Sequence, residues 1–505
     1  MTSVLEYLRQ SAERFPEKVA LSNGETALSY KSYLSLSQKV GAYVAQKEAD
    51  CRAVGVWALR SIYTPVLFFG AVWGGCCYVP LDPGLSAAKL QKILCDCKLD
   101  LILTPEETAL PEGVTFAGKV VSLAEALAES EALPCPTVGT DPAQPLYMVY
   151  TSGSTGKPKG VLKSHRAMMS FLEAYQNTFS FSADEVIGNQ TPFCFDASAK
   201  DVYLALALGA RLEILATELF SFPVRLIEAM NRRRITMISW VPSALSIVTQ
   251  LNTFSEILPT TLQKVFFVGE VFPMKQLNRW RKALPNLQYV NLYGSSELAG
   301  ICCYYQVQGE FADTDALPMG VPLENCRVYL IQDGKPIAQP GQIGELYVSS
   351  PALADCYYND PEKNAASFLE TEQGRVFRTG DLAQYTPEGL LVFAARKDYQ
   401  IKHMGHRIEL GEIEAAAAAL EEVANCCCLY HREKSKIVLF CQPASQTVTG
   451  QEIRRKLRGL LSDYMAPNQV RLLPQLPLNP NGKIDRPALQ QMLEKKQTFG
   501  GTKNG

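Results

Sequence analysis

The sequence predicts an α/β protein, with a large N-terminal domain of parallel-type sheets covered by helices, a β subdomain, and a small α+β C-terminal domain. Three observations carry that prediction. Between about residues 50 and 300, short β-rich apolar runs alternate with amphipathic helical stretches, the pattern of parallel strands joined through covering helices. From about 320 to 395 the chain turns to glycine, proline and short strands, which reads as a β subdomain. After Arg396-Lys397-Asp398 the pattern becomes helix, two strands and helix over enough residues for a separate domain. The expected division is 1–397 and 398–505.

Taken in order, AVGVWAL (53–59) is the first clear strand, and Ser61 to Leu81 follows as an uncharged run long enough to span a bilayer. Pro65, Gly70, Gly74, Gly75 and Pro80 interrupt it and Asp82-Pro83-Gly84 ends it, so it reads as a buried helix and strand. LYMVY (146–150), RLEIL (211–215), ITMISW (235–240), KVFFVG (264–269) and LQYVNLYG (287–294) are further strands, with helices expected at PVRLIEAMNRRR (223–234) and PMKQLNRWRKAL (273–284). RVYLIQDGKPI, GQIGELYVSS and GLLVFAA supply the β subdomain. In the last domain LGEIEAAAAALEEV (410–423) and GQEIRRKLRGLLSDYM (450–465) are helices around NCCCLYH and KIVLFCQ.

Composition narrows the function. At 505 residues, 47% hydrophobic and 20% charged, the chain can bury a large core in two or more domains. Forty-nine Lys and Arg against 51 Asp and Glu leave a net charge of −2, so no basic field draws in nucleic acid or anionic lipid. The first twenty residues lack the apolar centre of a secretory signal, and a cytoplasmic location without a membrane partner is expected. The 15 cysteines include no C-x-x-C pair and there are four histidines, which argues for reduced core thiols rather than zinc.

The strongest motif runs from Leu146 to Gly160, an apolar strand leading into Thr151-Ser152-Gly153-Ser154-Thr155-Gly156-Lys157-Pro158-Lys159. Glycines let backbone N–H groups crowd a phosphate, hydroxyls add donors, and Lys157 and Lys159 supply positive charge. A polyphosphate site is expected. It is not a Walker loop, because Pro158 stands where Ser or Thr is required.

Six more motifs follow the family order of the adenylate-forming superfamily, which the sequence resembles over nearly its whole length: Tyr78–Pro83, Phe195-Asp196-Ala197-Ser198, Asn291–Glu297, Arg378–Asp381, Ala395–Glu414 and Leu478–Asp485. That superfamily includes the adenylation domains of nonribosomal peptide synthetases, D-alanine:carrier-protein ligases and acyl-CoA ligases. The resemblance implies a two-step reaction. A carboxylate attacks the α-phosphorus of ATP to give an acyl-AMP and pyrophosphate, and a thiol then takes the acyl group. It also implies roles for individual residues. Thr151 to Lys159 would clamp the β- and γ-phosphates, and Thr155 and Glu297 would be oxygen ligands of Mg²⁺. Tyr293 would stack on adenine with Asn291 at its edge and Gly294 beside it, while Asp381 and Arg396 would serve the ribose. Lys483 would be the catalytic lysine on the carboxylate and α-phosphate. The small domain would be a mobile lid hinged at Asp398, with Gly405 leaving room for a thiol arm. Family usage is a Gly before Arg396 and an Arg at position 404; this chain has Ala395 and Met404.

The same resemblance points to an amino-acid substrate, because Asp196 would take its α-ammonium. The alternative for Asp196 is helix capping. Alignment by motif places Asp196, Ala197, Lys200, Ser239, Phe266, Val268, Leu292, Gly300 and Ile301 around the substrate side chain. Lys200 among apolar neighbours suggests an acidic or strongly polar substrate, unless it snorkels outward or pairs with Asp201. Val268 stands where D-alanine ligases commonly have Cys. About twenty residues follow Lys483, so the expected acyl acceptor is the phosphopantetheine thiol of a separate carrier protein. D-alanine:carrier-protein ligation and acyl- or aryl-CoA ligation are the alternatives.

Overall fold

A computed structural model describes the chain apart from residues 48–52, 135, 137–140, 152–157, 373, 398–399, 433, 446, 479–483 and 495–505. The chain forms two compact units, one built mainly on residues up to Asp398 and the other mainly on those from Tyr399.

The large unit contains two mixed sheets with parallel centres, as the alternation of strand and helix patterns requires. In one, Cys356–Tyr358, Lys159–Ser164, Pro145–Thr151, Cys77–Leu81, Ala53–Trp57, Leu101–Thr104 and Lys119–Ser122 lie side by side in that order. The run Ser61 to Leu81 is resolved as expected into the buried helix Tyr63–Trp73 and the strand Cys77–Leu81, which pairs in parallel with Ala53–Trp57. Gly70 is there for packing. A Cβ on it would lie 2.3 Å from Cγ1 of Val40 on the facing helix Tyr30–Lys47. Among the described residues no helix is long and apolar enough to cross a membrane.

The second sheet runs Val321–Pro322, Cys303–Gln306, Gln288–Tyr293, Lys264–Val268, Met237–Trp240, Val186–Asn189, Arg211–Ile214, Val19–Ser22 and Ala27–Ser29. Its middle pairings, from Gln288–Tyr293 through to Val19–Ser22, are parallel. The expected helices at 223–234 and 273–284 are Pro223–Arg232 and Met274–Ala283. They bury Leu226, Ile227, Met230, Leu277 and Trp280 in one apolar cluster. Strands Arg327–Gln332, Lys335–Ile337, Gly344–Ser349, Phe368–Thr371, Gly374–Tyr385 and Leu391–Arg396 form an antiparallel sheet, and Asp333 and Gly334, with φ 49° and 76°, make the tight turn that joins the first two.

In the small unit, Val423–His431, Lys436–Pro443 and Gln469–Leu472 form a three-stranded sheet. Cys426, Cys428 and Cys441 lie in its apolar core, the environment expected of reduced structural cysteines. The two expected helices are shorter than the periodicity suggested, Leu410–Ala418 and Gly450–Leu460. Glu421 is exposed and Glu422 half-buried after the first, and Ser462 precedes the short 3₁₀ turn Asp463–Met465 after the second. Alanine-rich and charged residues suit a helix, yet burial decides where it stops.

Candidate active site

The strand register assembles one wall of the expected substrate pocket. Ser239 pairs with Phe266, and Val268, two residues on, pairs with Leu292. Side chains two apart or directly opposite point to the same side of a sheet, so all four share one face. Each is at most 9% exposed. Phe266 is set among Tyr175, Phe179 and Phe181, with ring centroids 5.1 to 6.0 Å away. Gly300 and Ile301 follow in a loop where two backbone segments nearly touch, since a Cβ on Gly294 would sit 2.4 Å from the Gly300 carbonyl oxygen. Gly300 in turn fits against Phe171, whose ring a Cβ would approach to 2.5 Å.

Helix Asp196–Leu208 brings in Asp196, Ala197 and Lys200. Lys200 reaches the pocket wall, its Nζ donating to Ser239 Oγ at 2.6 Å, and it pairs with Asp201 at 2.5 Å. Both partners are at most 2% exposed, and Asn189 donates to the other Asp201 oxygen at 3.2 Å. Of the two readings of Lys200, the pair with Asp201 is the arrangement observed, and that carboxylate balances the lysine charge inside the chain.

Asp196 is the first residue of its helix, and its carboxylate accepts from Tyr147 Oη at 2.8 Å and from the ammonium of Lys163. Lys163 is fully buried. Burial pulls its ammonium below the usual lysine value and pushes the Asp196 carboxyl up, each shift being opposed by the partner's charge. Sequence reasoning missed Lys163, which lies in the strand Lys159–Ser164. The available signal was register, since Lys163 stands opposite Tyr147 in the antiparallel pair.

A second group forms where Gln288–Tyr293 meets the β subdomain. The Tyr293 hydroxyl donates to Oδ2 of Asp381, and Arg396 Nη1 donates to Oδ1 at 2.7 Å. Arg396 also donates to the Thr379 carbonyl at 3.2 Å, and Asn291 Nδ2 donates to the Pro318 carbonyl at 2.7 Å. Three residues expected at the nucleoside, Tyr293, Asp381 and Arg396, thus meet from segments about ninety residues apart in sequence, with Asn291 on the same strand as Tyr293. Glu297 is 1% exposed and accepts from the Tyr357 hydroxyl at 2.7 Å. That donor orients the carboxylate and leaves its charge in place, which suits a hard cation.

Thr151 and Lys159, the two ends of the segment expected to bind phosphate, are register partners. Ser152, Gly153, Ser154, Thr155, Gly156 and Lys157, along with Asp398 and Lys483, lie outside the described residues.

This fold and these groups define an AMP-binding enzyme, and the chain belongs to that family. Residues 8–358 match the AMP-binding enzyme model and residues 412–483 its C-terminal domain model. Among curated relatives, the chain is 32% identical over 471 residues to L-proline–[L-prolyl-carrier protein] ligase of Streptomyces coelicolor, covering 86% of each protein. It is 29% identical over 499 residues to tyrocidine synthase 1 of Brevibacillus parabrevis, where it spans 97% of its own length but only 45% of the relative. Among solved structures, IdnL1 superposes with a TM-score of 0.80 at 26% identity, over 94% of this chain and 99% of that one.

Proposed function

We propose that the chain is an AMP-forming ligase that activates an amino acid with ATP and passes it to the phosphopantetheine thiol of a separate carrier protein. One observation carries this reading: Tyr293, Asp381 and Arg396 meet at the end of the strand that also carries Asn291, in a chain that matches the family across residues 8–358. The relative that acts on L-proline and its carrier protein supports the acceptor.

In the first step a substrate carboxylate oxygen forms a bond to the α-phosphorus of ATP and the bond to the bridging oxygen breaks, releasing pyrophosphate. Tyr293 offers a face for adenine, and Asp381, fixed by Arg396, accepts from the ribose hydroxyls. Thr151 to Lys159 hold the departing phosphates. Glu297 and Thr155 would be the protein ligands for Mg²⁺, which would neutralise charge on the phosphates when bound. Lys483 places a cation between the carboxylate and the α-phosphate. Asp196 lies at the amine end, while Ala197, Lys200, Ser239, Phe266, Val268, Leu292, Gly300 and Ile301 surround the side chain. In the second step the carrier thiol attacks the acyl carbon and AMP leaves. Residues 1–397 form the nucleotide- and substrate-binding core, and 398–505, hinged at Asp398, the lid. The setting is the cytoplasm.

The experiment is exchange of labelled pyrophosphate into ATP over a panel of amino acids and other carboxylic acids. Exchange driven by one amino acid or a small group supports the reading. Exchange with none of them contradicts it.

A further inference from the structure

The carboxylate expected to greet a substrate ammonium already holds one from within the chain. Lys163 is fully buried, its Nζ contacts Asp196 Oδ1 and lies 3.2 Å from the Tyr147 hydroxyl, and it sits 5.1 Å from the centre of the Tyr147 ring. Its strand is paired on both sides, with Pro145–Thr151 and with Cys356–Tyr358, so the backbone that carries it is fixed. The cleft beside Asp196 is lined by Phe68, Tyr78, Tyr147, Phe193 and Val202, which offer no second acid. The Glu297 carboxylate is held in place by the Tyr357 hydroxyl; its charge is felt by both Lys163 and Asp196, but among the described contacts it bonds to neither.

An α-ammonium entering this site has two options. It shares Asp196 with a buried like charge, or it displaces Lys163 and strands a desolvated cation. Both weaken the advantage that an amine normally gains from a buried carboxylate. A hydroxyl or hydrogen at the same carbon meets neither penalty.

We propose that Lys163 is a specificity-determining residue that supplies the counter-ion of Asp196 from within the chain, so that the site accepts carboxylic acids with a neutral α-substituent, hydroxyl or hydrogen, alongside α-ammonium acids. This rests on the acid-activating function proposed above.

The test is kcat/KM for pyrophosphate exchange with matched trios: an amino acid, its 2-hydroxy analogue and its 2-deamino analogue. In the wild-type protein the better neutral analogue is expected within about tenfold of the amino acid, or above it, whereas an unshared buried carboxylate discriminates by a hundredfold or more. Lys163→Met frees Asp196, and the amino-acid form should then gain at least about tenfold relative to its analogues. Melting of each protein shows whether the variant is folded. If it is not, the wild-type ratios decide alone. A wild-type preference above about a hundredfold for the amino acid, or a folded Lys163→Met with unchanged ratios, overturns the role of Lys163 while leaving acid activation intact. Exchange with no member of any trio overturns acid activation itself, and the role of Lys163 with it.

Discussion

Arg396 donates to Asp381 at 2.7 Å between residues that are direct register partners on the antiparallel strands Gly374–Tyr385 and Leu391–Arg396. The pairing fixes the orientation of a carboxylate that is only 4% exposed, and Tyr293, from a different sheet, holds its other oxygen. Asp381 thus joins the β subdomain to the strand that carries the expected adenine-binding residues.

Asp381→Asn keeps the shape but removes the charge that Arg396 requires. Loss of a hydrogen bond between charged groups costs about 1.5–3 kcal/mol, so urea unfolding should shift by that amount and KM for ATP should rise roughly 10- to 100-fold. KM for the carboxylic acid should change far less. An equal rise for both substrates counts against a ribose role.

Lys200→Met leaves Asp201 buried with only Asn189 donating to it among the contacts described. Breaking a buried pair from one side costs about 3–5 kcal/mol, which chemical denaturation measures directly. The order of preferred acids should stay the same, because the lysine charge is already balanced. A swing from acidic to aliphatic substrates would restore the reading that Lys200 awaits an anionic side chain.

Much of this was legible in the sequence. Alternating strand and helix patterns placed both parallel-centred sheets, and prolines and glycines correctly divided Ser61 to Leu81 into the helix Tyr63–Trp73 and the strand Cys77–Leu81. Pairings between distant side chains were not legible. Lys163 reads locally as an ordinary polar strand residue, and only the meeting of strand Lys159–Ser164 with helix Asp196–Leu208 makes it the partner of Asp196. Which of its two readings Lys200 would follow was not legible for the same reason. Its counter-ion is the adjacent residue, and which way Asp201 points depends on tertiary packing.

Gly294→Ala would place a methyl 2.4 Å from the Gly300 carbonyl oxygen and 2.7 Å from the Ile301 Cα. Both neighbours are backbone, so the loop must move. The cost should be about 1–3 kcal/mol in urea unfolding, with a changed order among acids because Gly300 and Ile301 belong to the proposed side-chain pocket. Unchanged stability would show that the loop yields without strain.

Stability should fall with acid through His165. It is 6% exposed, the Val4 N–H donates to its Nδ1 at 3.3 Å, and burial lowers its pKa from 6.5 to about 4. The unfolded chain therefore binds this proton more readily than the folded one. The contribution is complete above pH 6.5 and is lost as pH falls towards 4, amounting to about 3 kcal/mol at the acid end. Unfolding free energies from pH 8 to 4 should fall less steeply for His165→Gln than for the wild type. Parallel curves would remove His165 from the account.

The most direct test of the central claim identifies the products of ATP in the presence of an activated acid, with hydroxylamine as the trap. AMP and pyrophosphate should form one for one with the hydroxamate, and should not accumulate without the acid. Acid-dependent formation of ADP and inorganic phosphate instead would contradict an AMP-forming ligase.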